Sequence, residues 1–121
     1  MNIAVIGLVL AICLSAMGSA AGVGAAAISA VGAWKKCYGN GKPAPFMLVA
    51  FTGAPLTQTI YGFLLFNFIN NALASGADQL LAMFIGMFGG LAIGLSAYFQ
   101  GRCAAAACDS LERQERERQT T

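Results

Sequence analysis

The sequence MNIAVIGLVLAICLSAMGSAAGVGAAAISAVGAW, residues 1–34, decides the fold because it contains no charged side chain. Two later stretches, residues 43–77 and 79–101, are equally free of charge. A helix needs roughly 20 consecutive apolar residues to cross the hydrocarbon core of a bilayer. Each of the three stretches is long enough, so the sequence predicts three membrane-spanning helices.

The composition supports a membrane protein and excludes an ordinary soluble domain. Of the 121 residues, 58% are hydrophobic and only 10% are charged, whereas soluble domains carry about 25% charged residues. A cleaved signal peptide is disfavoured, because no basic residue precedes the first apolar run and the run continues to Trp34. The expected fold class is therefore all-α integral membrane, with antiparallel transmembrane helices.

The charge-free stretches and the turn residues between them divide the chain into six segments. We predict membrane helix 1 over residues 1–34, a cytoplasmic loop over 35–44, helix 2 over 45–72, an external turn over 73–78, helix 3 with a cytoplasmic extension over 79–110, and a polar tail over 111–121. The tail is expected to be a solvated helix end or loop, since its charges alternate in sign.

The basic residues all fall on one side of this arrangement. They are Lys35, Lys36, Lys42, Arg102, Arg113, Arg116 and Arg118. Because lysine and arginine accumulate on the cytoplasmic side of membrane proteins, we expect the first loop and the C-terminal tail to be cytoplasmic. The N-terminus and the external turn then face outward in a multi-pass protein of the cell membrane.

Small residues recur at every fourth position in helices 1 and 3. They are Gly18, Gly22, Ala26 and Ala30 in helix 1, and Gly86, Gly90 and Gly94 in helix 3. Small residues at this spacing let two membrane helices approach closely. The pattern predicts that helices 1 and 3 pack tightly, although many membrane proteins share such generic packing.

Helix 2 carries a polar cluster near its middle, where uncompensated polar groups are costly. Pro55 has no N–H, so it leaves a carbonyl of the preceding turn without its helical partner. Thr57 and Gln58 add a hydroxyl and an amide oxygen, and Tyr61 follows on about the same face. The cluster is either an oxygen-rich cation notch or a proline kink with interhelical hydrogen bonds.

Gln100 is the one amide of helix 3 that precedes the basic boundary. It can meet Gln58 if helices 2 and 3 pack side by side. Counting residues from the external turn places Gln100 more than about 10 Å closer to the cytoplasm than Gln58. Unequal helix ends or tilt would have to absorb this difference.

The four cysteines form no CxxC pair, and the chain has no histidine to complete a metal site. Cys13 and Cys103 fall within the predicted helices, and we expect both to be packing residues.

The chain resembles subunit K, the membrane proteolipid of V-type (A/V-type) rotary ATPases. Three features carry the resemblance: the Gly/Ala-rich first helix, PLTQTIYGF at residues 55–63 and QGRCAAA at residues 100–106. The middle block is similar to the P-x-T-Q-x-x-Y-G signature of that family. The resemblance covers nearly the whole chain, from residue 1 to about residue 114.

The resemblance implies a ring of helical hairpins that turns against a membrane stator subunit and contacts the central stalk. The turning carries Na⁺ or H⁺ and is coupled to ATP synthesis or hydrolysis. The ion ligands it implies are the carbonyl of Ala54, the side chains of Thr57 and Gln58, and Gln100; Pro55 and Tyr61 would support the site. No other cofactor is implied, and the subunit would have no catalytic residues of its own.

The chain departs from that family at the ion-site carboxylate, which the family carries on a fourth helix. The acidic residues here are Asp78, Asp109, Glu112, Glu115 and Glu117, and all are expected at or beyond helix ends. An internal repeat, ICLSA at 12–16 and IGLSA at 93–97, suggests that helix 3 opens a second hairpin. We therefore expect a fourth, glutamate-bearing helix, and a chain truncated before it.

A second interpretation is a non-catalytic membrane scaffold or channel-like helical bundle. It explains the small-residue stripes and the missing carboxylate, but not the Thr57-Gln58-Tyr61 block. An enzyme is less favoured, since the glycine-rich stretches lie inside predicted spans and do not suit a phosphate loop. Nucleic-acid binding is not expected, because acidic residues balance the arginines of the tail.

Overall fold

The computed structural model describes residues 2–120, and all regular structure in that range is helical. The elements are α1 (Ile3–Gly39), α2 (Met47–Gly53), a 3₁₀ helix (Ala54–Leu56), α3 (Thr57–Ala74) and α4 (Gln79–Arg118). Three helical segments, Ile3–Gly39, Met47–Ala74 and Gln79–Arg118, are long and apolar enough to cross a membrane. The fold is therefore all-α, as predicted from the charge-free stretches.

The first helix was predicted to end at Trp34, but α1 extends more than one turn beyond this residue. The Asn2 side chain accepts a hydrogen bond from the Ala4 amide at 3.1 Å and caps the helix start. Lys36 therefore lies on the helix rather than in a loop. Its ammonium is 3.9 Å from the buried carboxylate of Glu112, so α1 remains paired with α4 over this extra turn.

The middle span is continuous but changes its helical form near Pro55. α2 and α3 are joined by the 3₁₀ helix Ala54–Leu56, which carries Pro55 in its first turn. A proline in a helix interior removes one backbone hydrogen bond and crowds the preceding turn. A short 3₁₀ segment accommodates both effects, because it tightens the helix locally. The side chain of Pro55 is fully buried.

α4 begins at an aspartate cap and continues through most of the predicted polar tail. The Asp78 carboxylate accepts a hydrogen bond from the Leu81 amide at 2.8 Å. The helix then runs unbroken to Arg118. Glu112 is only 3% exposed, with Arg116 at 4.0 Å on one side and Lys36 on the other. This part of the tail packs against α1 instead of being fully solvated.

The main contact of the structure joins α1 and α4, which run in the same direction. Gly7 lies against Gly86 near their N-terminal ends, and Gly22 lies against Gly101 further along. At each predicted packing glycine, an added Cβ atom would overlap backbone atoms of the other helix. These glycines are Gly18, Gly22, Gly86, Gly90 and Gly94. The two helices are thus in backbone contact along most of the apolar length.

The middle span lies beside this pair and runs in the opposite direction to α1. Ile69 of α3 packs with Ala4 and Leu8 near the start of α1. Leu48 of α2 packs with Ala30 and Cys108 near the basic end of the bundle. These two clusters fix the middle span at both ends, and the polar cluster lies between them.

The prediction that Cys13 and Cys103 pack inside the bundle is wrong. Both side chains are exposed on the outer surface, whereas Cys37 and Cys108 are buried. The reason is rotational position: Cys13 lies between Ala11 and Ser15, which face the core, and so it points away from α4. An apolar run alone does not reveal which side of a membrane helix faces lipid.

The glycine contacts lead to a matched pair of substitutions in α1. We expect Gly18→Ala to lower the free energy of unfolding by about 1–3 kcal/mol, because its methyl group would overlap the backbone of Gly94. Gly24 has no atom within 4 Å of an added Cβ. We therefore expect Gly24→Ala to be neutral, or stabilising by up to about 1 kcal/mol through helix propensity.

Denaturant titration in mixed micelles, followed by circular dichroism, measures both changes. Equal effects of Gly18→Ala and Gly24→Ala would contradict the close approach of α1 and α4.

Candidate functional site

The polar cluster begins where the 3₁₀ helix passes into α3. The Thr57 hydroxyl lies 3.3 Å from the carbonyl oxygen of Ala54 and 3.1 Å from the amide oxygen of Gln58. A hydroxyl has one proton, so it donates to one of these oxygens at a time. The local distortion around Pro55 therefore places a backbone carbonyl, a hydroxyl and an amide oxygen within a few ångströms of one another.

Gln100 of α4 completes the group from the neighbouring helix. The Gln58 amide N–H donates a hydrogen bond to the amide oxygen of Gln100. The two amides therefore meet, which the sequence allowed if the two helices packed side by side. Ala54, Thr57, Gln58 and Gln100 thus form one continuous polar chain across two helices.

The backbones of Gln58 and Gln100 lie at different depths, as expected, and their side chains meet because they lean toward each other. Gly62 lies against Ser15, and Pro55 lies at the level of Gly22 and Ala97, so the backbone of Gln58 is further from the basic end than Gln100. Helical side chains lean toward the N-terminus of their own helix. Because α3 and α4 run in opposite directions, the two amides lean toward each other.

The cluster is open to the outer surface on the side between α3 and α4. Thr57 and Gln100 are exposed, Gln58 is half-buried, and Tyr61 is 57% exposed. A groove of about 320 Å³ runs beside Gln58 and Tyr61 and continues along α4. Its α4 wall is formed by Ala92, Ile93 and Ser96.

Tyr61 and Ser96 stand beside the polar chain without joining it. Within residues 2–120, the Tyr61 phenol makes no hydrogen bond, although its ring lines the groove next to Gln58. Ser96 was not among the predicted site residues. A signal was present, since Ser96 lies four residues before Gln100 and therefore on the same face of the helix.

No carboxylate of the described residues reaches this group. Asp78 caps the start of α4, and Asp109 accepts a hydrogen bond from Ser29 at 3.0 Å. Glu112 pairs with Lys36 and Arg116. The described residues also contain no group of three or more His, Cys, Asp or Glu side chains that would hold a metal ion. The cluster is therefore neutral and consists of oxygen and amide groups.

A neutral group of oxygens of this kind can act as a set of cation ligands. Carbonyl, hydroxyl and amide oxygens replace the hydration shell of small cations, and distorted helices in membranes supply freed carbonyls for this purpose. In this structure Gln58 donates to Gln100, and the Thr57 hydroxyl donates to either the Ala54 carbonyl or the Gln58 amide oxygen. These bonds partly satisfy the groups at a depth where unpaired polar groups are costly. The arrangement suits either a cation ligand set or a purely structural link between α3 and α4.

Compared with protein-family models, with curated proteins and with solved structures, the chain matches none of them.

The contact between Gln58 and Gln100 is testable by a double-mutant cycle with Gln58→Leu and Gln100→Leu. We expect a coupling energy of about 0.5–2 kcal/mol in the free energy of unfolding, because hydrogen bonds between membrane helices fall in this range. Thr52 bonds the carbonyl of Leu48 within its own helix. The control cycle of Gln58→Leu with Thr52→Val should give a coupling near zero, and additive effects of the two glutamine changes would contradict the bond.

Proposed function

We propose that this chain is a rotor proteolipid of the subunit K type in a V-type rotary ATPase or ATP synthase. In this role it carries Na⁺ or H⁺ across the membrane as a ring of such subunits turns. The proposal rests on one observation above all. Ala54, Thr57, Gln58 and Gln100, which match the ion ligands of that family, lie within hydrogen-bonding distance of their neighbours in one cluster.

The proposed ion is the cargo of the site, and the four oxygen-bearing groups are its neutral ligands. A cation at this depth also requires a compensating negative charge, because the low dielectric penalises an isolated charge strongly. The carboxylate would come from a helix outside the described residues that lies in the groove beside Gln58 and Tyr61. The exposed Tyr61 hydroxyl is available to hold that carboxylate in position.

The rest of the fold supports a place in a ring. α1 and α4 lie in backbone contact, as expected for the helices that form a tightly packed inner layer, and the polar cluster faces outward from this pair. The basic ends of α1 and α4 would then face the cytoplasm and the central stalk. An ion site on the outer side is accessible to a stator subunit as the ring turns.

A non-catalytic scaffold or channel-like bundle is the alternative, and one observation favours it. Gln58 donates to Gln100, and the Thr57 hydroxyl donates within its own helix, without any carboxylate from the described spans. In that case the cluster would hold α3 and α4 together and would bind no ion.

The two functions differ in sodium binding and in assembly. We expect the membrane assembly purified with this chain to form a detergent-resistant ring, and its ion-site carboxylate to react with a hydrophobic carbodiimide. Sodium should protect this carboxylate from labelling if Na⁺ is the cargo. If H⁺ is the cargo, the extent of labelling should depend on pH and not on sodium. Absence of any carbodiimide-reactive carboxylate, or a monomer or small oligomer, would refute the rotor function.

The same protection experiment on a variant tests whether Gln58 is one of the ion ligands. We expect Gln58→Ala to raise the sodium concentration needed for half protection at least tenfold, since it removes one of few ligands and breaks the contact with Gln100. Gln79 is an exposed amide at the start of α4, remote from the cluster. Gln79→Ala should leave protection unchanged, and an equal effect of both substitutions would remove Gln58 from the ion site.

A further inference from the structure

A second groove, separate from the polar cluster, lies between α1 and α2. Its volume is about 300 Å³, which is at the lower end of the range for small-molecule sites. The α1 wall includes Ala27, Val31 and Trp34, and the α2 wall includes Val49 and Gly53. The lining is almost entirely apolar, so the groove suits a hydrocarbon chain.

Thr52 is a polar residue of the lining, and its hydroxyl donates to the carbonyl of Leu48. Two further polar side chains lie toward the basic end of the groove. Ala27, Val31, Trp34 and Tyr38 follow one another at intervals of four, three and four residues, and therefore share one face of α1. Tyr38 is 67% exposed and stands beyond Trp34 at the end of that face. Lys35 follows Val31 by four residues and is exposed. By helical spacing, a phenol and an ammonium group therefore lie about one turn beyond Trp34 and Val31, toward the basic end of the apolar groove.

The two adjacent lysines of α1 differ in their partners. Lys36 lies 3.9 Å from Glu112. Within residues 2–120, Lys35 has no acidic partner, so its charge remains available to a ligand. An anionic group at the mouth of the groove would compensate this charge.

We propose that the groove between α1 and α2 holds one acyl chain of an anionic phospholipid, whose phosphate lies against Lys35 and Tyr38. The apolar lining takes the acyl chain, and the ammonium and phenol groups at its end take the headgroup. The lysines and arginines of the chain are concentrated at this end of the helices, and an anionic headgroup offsets their charge.

The chain contains its own probe for this site, because Trp34 is its single tryptophan and lines the groove. The protein, purified as an assembly of its own copies only, is mixed in detergent micelles with phospholipids that carry brominated acyl chains. Bromine quenches tryptophan fluorescence on contact, so the quenching reports lipid next to Trp34. Phosphatidylglycerol provides the anionic headgroup, and phosphatidylcholine with identical chains provides the zwitterionic comparison.

We expect brominated phosphatidylglycerol to quench Trp34 at a several-fold lower mole fraction than brominated phosphatidylcholine. Lys35→Gln should raise the mole fraction of phosphatidylglycerol needed by about fivefold, since one lysine near the headgroups contributes about this factor. Lys42→Gln removes the same charge from the following loop, off this face of α1, and should have a clearly smaller effect.

A second pair of variants tests the groove itself. Gly53 lines it, and an added Cβ at Gly53 meets no atom within 4 Å. Gly53→Leu should therefore fill the groove and weaken quenching by both lipids. Gly24 is equally unobstructed but does not line the groove, and Gly24→Leu should leave quenching unchanged.

Three outcomes would overturn the proposal. Equal quenching by the lipids with the two headgroups would show that Trp34 contacts only the bulk lipid that surrounds any membrane protein. Absence of quenching by either lipid, with Trp34 protected in the assembled complex, would show that another protein surface covers the groove. Undiminished quenching in Gly53→Leu would place the lipid elsewhere. None of these results bears on sodium protection, so the rotor function is tested independently.

Discussion

The close approach of α1 and α4 is the constraint on which the rest of the structure depends. Burial of apolar surface does not drive helices together in a membrane, because lipid is as apolar as the side chains. Backbone contact at positions such as Gly18, Gly94 and Gly22 is therefore the main source of their association. This contact fixes the surface against which Pro55 and Gly62 of the middle span pack, and so it fixes the position of the polar cluster.

The polar cluster depends on two local features acting together. Pro55 forces a 3₁₀ segment that places the carbonyl of Ala54 near the Thr57 hydroxyl. The opposite directions of α3 and α4 then turn Gln58 and Gln100 toward each other across a difference in depth. Neither feature alone would bring these four groups together.

Much of this could be predicted from the sequence, because membrane spans and helix contacts leave local signals. The charge-free runs predicted the helices, and the glycines at intervals of four predicted the contact of α1 with α4. The burial of Glu112 and the outward direction of Cys13 were not predictable in this way. Both depend on how far α1 continues and how each helix is rotated about its axis, which are set by contacts distant in sequence.

The length of α4 has a geometric consequence. Its 40 residues span about 60 Å at 1.5 Å per residue, whereas the hydrocarbon core of a bilayer is about 30 Å thick. In a bilayer, roughly half of this helix would therefore lie outside the hydrocarbon core, where the carboxylate of Glu112 lies 3.9 Å from the ammonium of Lys36 on α1. The two helices would project beyond the bilayer as a connected pair.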